Sequence, residues 1–205
     1  MAKQIEGVSD RVLECAKKEF MEKGYQDASL RTIAKEASTS TSSIYTRFKD
    51  KDGLFRALVE PVIYMIKTMS STIQSEFDEK DAKTQEEVMG EFTNDSHKKI
   101  IDFIYDHQEI FYLLTACSHG SSYEHFMDEL VEIEEESTIK YLKVIGREDL
   151  ILNTVTREFL HILATSYCYG IFEPVLHGMS REKAHEFDEM FLKYHMAGFY
   201  TLLEK

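Results

Sequence analysis

Residues 29–48 read SLRTIAKEASTSTSSIYTRF, and this stretch of the 205-residue chain decides the fold of its N-terminal part. Its first half carries apolar residues at i, i+3, i+4 and i+7, the spacing of one helix face: Leu30, Ile33, Ala34 and Ala37. The polar run at 38–40 breaks this helix, because Ser and Thr side chains compete for backbone hydrogen bonds. A second short helix follows over 41–48. The pattern predicts two short helices joined by a three-residue turn, with Ser29 and Ser40 as N-caps.

The second short helix is polar on the side opposite its apolar residues. Two such helices form a helix-turn-helix, whose second helix enters the major groove of DNA, about 12 Å wide. Small hydroxyl side chains suit that groove, and Ser42, Ser43 and Thr46 supply them. Donors for phosphate groups flank them: Tyr45, Arg47, Lys49 and Lys51. Any small three-helix bundle has the same periodicity, so the pattern alone leaves DNA binding and a purely structural bundle both open.

Two further helices flank this pair. Apolar residues at helical spacing predict the first over 10–23, ended by Gly24. The other is capped by Asp50 and keeps its helical spacing to residue 73. Pro61 lies inside it and should bend it, because proline lacks an N–H and clashes with the preceding turn.

Four stretches agree in order and spacing with a known pattern: VLECAKKEFMEKGY at 12–25, SLRTIAKEA at 29–37, STSSIYTRF at 40–48 and KDGLF at 51–55. Together they resemble the DNA-binding domain of the TetR/AcrR family of bacterial transcriptional regulators, over residues 8–60. The resemblance implies that Thr32, Tyr45 and Lys51 hold phosphates and that the hydroxyl residues of the second helix face base edges. The predicted DNA-binding residues are Arg31, Thr32, Ser42, Ser43, Tyr45, Thr46, Arg47, Lys49 and Lys51.

The chain departs from the family pattern at the turn and along the second helix. Ser38 and Thr39 stand where members of the family usually carry Gly-Val. Ser42 stands where glycine is common, and Lys49 where proline is common. Ser42 and Lys49 therefore add side chains that can contact DNA, and the operator sequence cannot be inferred from the family.

The charge is divided unevenly along the chain. The formal net charge of −13 argues against a polyanionic partner. Residues 1–60, however, hold 11 Lys and Arg against 10 Asp and Glu, a net of +1. The remaining 145 residues hold 13 against 27, a net of −14. The acidic balance therefore belongs to the C-terminal part, and the first 60 residues can present a basic face to DNA.

The rest of the chain predicts helices only. Helical spacing favours segments at 85–106, 110–117, 123–145, 153–177 and 181–203, and no stretch alternates with period two. The expected fold is therefore all-α with about nine helices. We expect a three-helix helix-turn-helix domain at 1–52, with its motif at about 29–48, and a helical effector-binding and dimerisation bundle at 53–205.

The last two helices are the expected dimer interface. The segment 159–176 is apolar on more than one face, which indicates burial on two sides. The resemblance implies the same, since this family dimerises through its final two helices, and a two-fold dimer suits a palindromic operator. The stripes could instead be ordinary monomer core. The predicted interface residues are Phe159, Leu163, Phe187, Phe191, Tyr194, Gly198 and Leu202.

The middle helices are rich in aromatic residues, methionines and scattered polar groups, the composition of a ligand pocket. By resemblance this part holds a small effector, expected to be apolar or amphipathic, whose binding releases a repressor from DNA. The same residues could simply fill the bundle core. The candidate pocket residues are Tyr64, Met65, Met69, Phe92, His97, Ile101, Tyr105, Phe111, Tyr112, Thr115, His119, Phe126, Met127, Tyr167 and Phe172.

Other classes of protein lack support in the sequence. It shows no GxSxG, HExxH, phosphate-loop or GxGxxG signature, so we expect no enzyme, cofactor or metal site. Three cysteines far apart, no signal peptide and no clean stretch of about 20 apolar residues indicate a cytoplasmic protein without a membrane partner. Three alternatives stay open: a ligand-independent DNA-binding regulator with a filled core, a helical enzyme, and an interaction protein with a vestigial DNA-binding part.

Overall fold

The computed structural model describes residues 2–204, with side chains from Gly7 onward, and it is helical throughout. Ten helices and no strand occur within that range: α1 Ala2–Asp27, α2 Leu30–Glu36, α3 Thr41–Phe48, α4 Lys51–Asp78, α5 Ala82–Asp106, α6 Gln108–Ala116, α7 Phe126–Val144, α8 Glu148–Leu152, α9 Thr154–Leu176 and α10 Arg181–Leu203. The expected all-α fold with an N-terminal helix-turn-helix is therefore confirmed.

Several boundaries differ from the predicted ones: α4 continues to Asp78 rather than ending at residue 73, α5 begins at Ala82 rather than 85, and α7 begins at Phe126 rather than 123. Helix α1 begins at Ala2 rather than at residue 10, and at Gly24 its backbone leaves the helix (φ 72°, ψ 163°) before a last turn to Asp27. The short helix α8 replaces a predicted break, which raises the helix count from about nine to ten. Its five residues are too few for a periodic signal, which is why the spacing of apolar residues did not indicate it.

The chain packs into two compact units, and the first comprises residues 1–65 and 107–125. Its core lies where α1, α2, α3 and the start of α4 meet. Phe20 packs edge-on against Phe55, with ring centroids 5.1 Å apart, and Tyr25 stacks on Phe20 at 5.8 Å. Ile33 and Ile44 are completely buried. The inner faces of α2 and α3 are therefore held by an aromatic core supplied by α1 and α4.

The segment 107–125 belongs to this first unit although it lies far away in sequence. The Tyr25 amide donates to the Cys117 carbonyl (2.8 Å), and the Ser122 amide donates to Asp52 Oδ1 (2.9 Å). The Tyr123 hydroxyl donates to Glu60 Oε1 (3.1 Å). These bonds tie α6 and the loop after it to α1 and to the first turns of α4.

The second unit comprises residues 66–106 and 126–205. Its helices pack mainly as α7 on α9 and α5 on α10. Arg147, which is 8% exposed, closes one end of this bundle. Its guanidinium pairs with Asp149 through two bonds, at 2.9 and 3.0 Å, and also donates to the Leu203 carbonyl at the end of α10. The last carbonyls of a helix lack intrahelical partners, so Arg147 acts as a cap from a distant part of the chain.

Tyr105 connects α5 to the turn between the last two helices. Its side chain is 8% exposed, and its hydroxyl donates to the Met179 carbonyl at 3.0 Å. Because this bond lies inside one unit and is largely shielded from water, its loss should lower the free energy of unfolding and not only change the local structure.

We expect Tyr105→Phe to lower the free energy of unfolding by about 1 kcal/mol, the usual value of such a hydrogen bond. Urea unfolding followed by circular dichroism, at a fixed protein concentration, measures it. Tyr169→Phe removes a hydroxyl from an exposed ring of α9 and should change stability by less than about 0.5 kcal/mol. Equal effects of the two substitutions would contradict the role assigned to the Tyr105 hydroxyl.

Candidate nucleic-acid interface

Helices α2 and α3 begin at serine caps, as the sequence predicts. Ser29 Oγ accepts from the Thr32 amide (3.4 Å), and Ser40 Oγ accepts from the Ser43 amide (3.1 Å). The Ser29 amide in turn donates to Glu19 Oε1 at 3.0 Å, and Glu19 is a buried residue of α1. Both helix starts are therefore fixed by side chains, and α2 is also anchored to α1.

The turn between α2 and α3 depends on a residue in the left-handed region. Ser38 has φ 51°, and the following Thr39 amide donates to the Ala34 carbonyl at 2.9 Å. Glycine adopts this backbone without cost, whereas a residue with a Cβ is held there against a preference. The turn thus explains physically why glycine is the usual family residue at this position, and this chain accommodates serine instead.

Four of the predicted DNA-binding residues lie on one exposed face of α3. Ser42, Tyr45, Thr46 and Lys49 follow each other at i, i+3, i+4 and i+7, and all four are exposed. The Tyr45 ring is 52% exposed, a large fraction for an aromatic side chain. The Thr46 hydroxyl donates to the Ser42 carbonyl at 2.8 Å, which leaves its lone pairs free to accept from an outside donor.

The two remaining predicted residues of α3 lie beside this face and are bonded to each other. Arg47 Nη1 donates to the Ser43 carbonyl (3.1 Å) and also to the Ser43 hydroxyl. Both residues are half-buried, and Arg47 Nε is buried without a hydrogen-bond partner in the part of the chain that the structure describes. In this arrangement the Arg47 guanidinium is turned along its own helix.

Lys49 ends α3 in a strained backbone conformation. Its φ is 72° and its ψ is −54°, and the Asp50 amide donates to the Phe48 carbonyl at 2.9 Å across it. This is the geometry of the rare γ-turn with a positive central φ. Its own amide donates to the Tyr45 carbonyl at 2.9 Å. Proline has neither this φ nor this N–H, so the chain departs here from the family in backbone as well as in side chain.

Lys51 begins α4 and is held by the end of α1. Its ammonium donates to the carbonyls of Gln26 (2.9 Å) and Ala28 (3.3 Å), and it lies 4.8 Å from the centre of the Tyr25 ring. Three N–H bonds are available to a lysine, so one donor is left for a phosphate. The structure thus gives Lys51 a local role that the sequence did not indicate.

An open groove joins these residues to the start of α2. Its volume is about 580 Å³, and it is lined by Ala28, Ser29, Leu30, Arg31, Thr41, Tyr45 and Lys51. On α2, Arg31 is exposed and the neighbouring Thr32 is half-buried. The groove therefore brings together predicted phosphate contacts from α2, α3 and α4.

The candidate pocket residues are divided between the two units. The first unit contains Tyr64, Met65, Phe111, Tyr112, Thr115 and His119, and the second contains Met69, Phe92, His97, Ile101, Tyr105, Phe126, Met127, Tyr167 and Phe172. Tyr64 and His119 are strongly exposed, whereas Phe111, Phe126 and Ile101 are completely buried. A shallow groove of about 240 Å³ is lined by Lys80, Val88, Glu91, Phe92, Asp95, Ser96 and Lys99.

The predicted dimer residues are only partly exposed. Phe159, Tyr194 and Gly198 are exposed, whereas Leu163, Phe187, Phe191 and Leu202 are half-buried within the second unit. A longer apolar stripe is exposed beside them: Leu152, Val155, Ile162 and Tyr169 before and along α9, and Met190 on α10. Sequence periodicity shows that such stripes exist, but only packing decides which stripe faces outward.

Helix α9 is also long and apolar enough to cross a membrane by length and composition alone, with 33% of its most apolar window buried. A single helix of this kind is weak evidence, because core and interface helices of other proteins share the same composition. Its exposed apolar residues require a covering surface.

A buried polar cluster in the second unit escaped sequence analysis. His97 Nδ1 lies 2.8 Å from Asp188 Oδ1, and His97 Nε2 is hydrogen-bonded to the Tyr167 hydroxyl. These partners are separated by 91 and 70 residues, so no local spacing could reveal them. Burial raises the pKa of the nearby Glu134 to about 7, and burial followed by the neighbouring His97 lowers the pKa of His195.

Comparison with known proteins agrees with the helix-turn-helix sequence and with the all-α fold. A family model described as bacterial regulatory proteins, tetR family, matches residues 12–58. No curated protein matches the chain significantly.

Solved structures share the fold over nearly the whole chain. A structure from Syntrophomonas wolfei assigned to the TetR-family transcriptional regulators has a TM-score of 0.58 at 20% identity, covering 96% of this chain and 95% of that chain. A second structure is NalD, the secondary repressor of the MexAB-OprM multidrug efflux pump in Pseudomonas aeruginosa. It has a TM-score of 0.57 at 14% sequence identity, covering 95% of this chain and 97% of that chain.

A third structure is a cysteine mutant of the TetR-family regulator CifR complexed with 26-bp operator DNA. It gives a TM-score of 0.52 at 17% identity, covering 90% of this chain and 94% of that chain. These identities show a common fold, while the sequence match falls on the helix-turn-helix itself. Residues 12–58 therefore match the DNA-binding domain of the tetR family of bacterial regulatory proteins, and the chain as a whole has the fold of TetR-family transcriptional regulators.

Proposed function

We propose that this protein is a repressor that binds a palindromic operator as a homodimer and leaves it when a small effector binds. Residues 1–52 form the DNA-binding domain, and residues 53–205 hold the effector and make the dimer. The observation that carries the proposal is the exposed face of α3, on which Ser42, Tyr45, Thr46 and Lys49 lie in line. Such a face, on a helix with a buried opposite side, suits the major groove.

The contacts to phosphates come from the open groove beside this face. Arg31, Tyr45 and Lys51 line it together, and donors from several elements fix the orientation of a protein on DNA. CifR, which shares the fold, is seen with operator DNA. Base contacts are assigned to Ser42, Thr46 and, from the edge of the face, Ser43.

The dimer is supported by the apolar stripe on α9 and α10. Leu152 is 84% exposed, Val155 is 75% exposed and Tyr194 is 78% exposed. Such exposure is unusual for large apolar residues that lie next to further exposed apolar residues. In a two-fold dimer, the stripe of one copy packs against the identical stripe of the other copy, so that each stripe covers the other. Two copies also place two recognition helices on one operator, about 34–36 Å apart. A cytoplasmic location follows from this function.

Release by an effector needs a link from the second unit to α1. Segment 107–125 and helix α4 both continue directly into the second unit along the chain. The segment is bonded to Tyr25 of α1 and to Asp52 and Glu60 of α4. A ligand that prefers a displaced α4 or a displaced segment would lower DNA affinity, and DNA would lower ligand affinity by the same factor.

Replacing phosphate contacts should weaken operator binding. We expect Tyr45→Ala and Lys51→Ala each to reduce affinity about tenfold, because each removes a contact at the groove. Fluorescence anisotropy on a DNA fragment that the purified protein retains from its own genome gives the values. Lys183→Ala, a change at an exposed lysine of α10, should have no effect. Unchanged binding by both groove variants would refute the site.

Lys49 allows stability and DNA binding to be separated. Lys49→Gly should stabilise the protein by about 1 kcal/mol, since relief of backbone strain exceeds the entropy that glycine loses on folding. Its affinity for the operator should fall, and the slope of log K against log salt should flatten by about one.

Lys49→Ala is the matched control, because it keeps the strained backbone and removes the same charge. It should bind DNA as weakly as Lys49→Gly without the gain in stability. Thermal unfolding and salt titration measure both quantities. A lower stability of Lys49→Gly than of Lys49→Ala would show that Lys49 is not held in this conformation.

Charges on the apolar stripe should abolish the dimer. We expect the double variant Val155→Glu/Ile162→Glu to sediment at 23.9 kDa rather than at twice that mass, because burying two unpaired carboxylates is costly. Operator binding should weaken with it. Ile133→Glu, at an exposed apolar residue of α7, should remain dimeric. A dimeric double variant would place the interface elsewhere.

A further inference from the structure

The second unit contains a hydrogen-bonded chain of Asp188, His97 and Tyr167 that spans three helices. Asp188 and His97 are 4% and 2% exposed. A carboxylate only accepts hydrogen bonds, so His97 Nδ1 donates to Asp188 across 2.8 Å. His97 Nε2 then accepts from the Tyr167 hydroxyl. Both ring nitrogens of His97 therefore have partners, and the Tyr167 hydroxyl is fixed by one of them.

A second histidine lies beside the chain and is not satisfied. The His195 ring packs edge-on against Tyr167 at 5.6 Å and lies 4.5 Å from the Phe191 ring. Its Nε2 atom is buried and makes no hydrogen bond to any described residue. Buried polar atoms are almost always partnered, so an unpartnered one in a native fold points to a missing water, ion or ligand.

Aromatic rings form a wall next to this nitrogen. Phe191 is stacked with Tyr167 at 6.3 Å and with Phe187 at 5.8 Å, with interplanar angles of 19° and 13°. Gly170 makes this approach possible, because a Cβ at that position would overlap the Phe191 ring. A flat aromatic molecule can extend such a stack.

The surroundings disfavour charge of either sign. Burial raises the pKa of Glu134 to about 7 and that of Cys168 to about 12. Burial, together with Glu134, Cys168 and Asp188, also raises the pKa of Tyr167. The pKa of His195 moves the other way, lowered by burial and by His97. Burial that opposes charge on acids and on a base alike marks a site of low polarity, where a neutral ligand is favoured over an ion.

We propose that this cluster binds a neutral hydroxylated aromatic molecule of the phenol class, with its hydroxyl on His195 Nε2 and its ring against Phe191 and Tyr167. This inference rests on the effector role proposed for the second unit. A hydroxyl group suits the open nitrogen in either tautomer, because it both donates and accepts. Tyr167 and His195 are only half-buried, and because Nε2 itself is buried, a ligand enters by displacing the rings beside it.

The test compares three probes on the full-length wild-type protein: phenol, toluene and benzoate. Isothermal titration at pH 8 and nuclear magnetic resonance of the histidine rings measure binding directly, without DNA. Phenol should bind about fivefold to tenfold more tightly than toluene, the effect of one hydrogen bond. Benzoate should bind more weakly than phenol. Equal affinities of phenol and toluene, tighter binding of benzoate, or no binding of phenol at millimolar concentration would each overturn the proposal.

Variants then identify the nitrogen. His195→Phe keeps the ring and removes the hydrogen bond, so the preference for phenol over toluene should fall to about one. His185→Phe, three turns earlier on α10, should keep the wild-type preference. The wild-type comparison stands by itself if His195→Phe fails to fold.

The effect of phenol on the operator complex is measured separately. Preferential phenol binding with an unchanged operator affinity would leave the site intact and refute effector release. Operator release by some other molecule, without a phenol preference, would refute the site and leave effector release intact.

Discussion

The burial of Ile44 is the constraint on which the DNA-reading surface depends. Helix α3 has eight residues, too few to be stable as an isolated helix in water. Its inner side chain Ile44 is completely buried, and its first turn is closed by Ser40. Because residues 42, 45, 46 and 49 lie on the opposite side of the same short helix, the burial of Ile44 determines that they face outward.

Strained residues lie in the turn before α3 and at the end of α3, and both coincide with departures from the family. Ser38 and Lys49 are the two residues other than glycine with positive φ among those the structure describes. Such conformations persist where packing on both sides determines them, and they are common at functional sites. Here the packing of Ala34, Ala37 and Ile44 holds α2 and α3. The strained residues are therefore a consequence of the helix geometry, and only their side chains were free to vary.

Local features of the sequence were sufficient for the helix-turn-helix. Serine caps, the apolar period of α2 and the polar turn all act within about ten residues, and the structure has each of them where the spacing indicated. Contacts between residues far apart in the sequence could not be predicted from such local features. The bonds from residues 117–123 to α1 and α4, the cap that Arg147 places on α10, and the pair His97–Asp188 depend on how distant helices pack.

The sequence also could not show which apolar stripe of a helix is buried and which is exposed. The spacing indicated that α9 buries apolar residues on more than one side and that α10 carries an apolar stripe. It could not show that Phe191 stacks on Tyr167 and Phe187 on Phe191 inside the unit. Nor could it show that Val155 and Ile162 face outward. A period of 3.6 residues is satisfied by either stripe, and the choice between them is made by the partners across the bundle.

The charge distribution gives the strained Lys49 a physical reason. A protein of net charge −13 is repelled by DNA at long range, since the +1 on residues 1–60 offsets little of the −14 on the 145 residues that follow. Attraction must therefore come from few cations close to the phosphates, where it is strongest and where salt screens it least. In the proposed interface Lys49 supplies one such cation at the end of α3, whereas Lys51 is largely engaged by the carbonyls of Gln26 and Ala28. In the proposed interface, the backbone cost at Lys49 is of the same order as the gain from one phosphate contact, so an otherwise acidic chain can retain a strained lysine there.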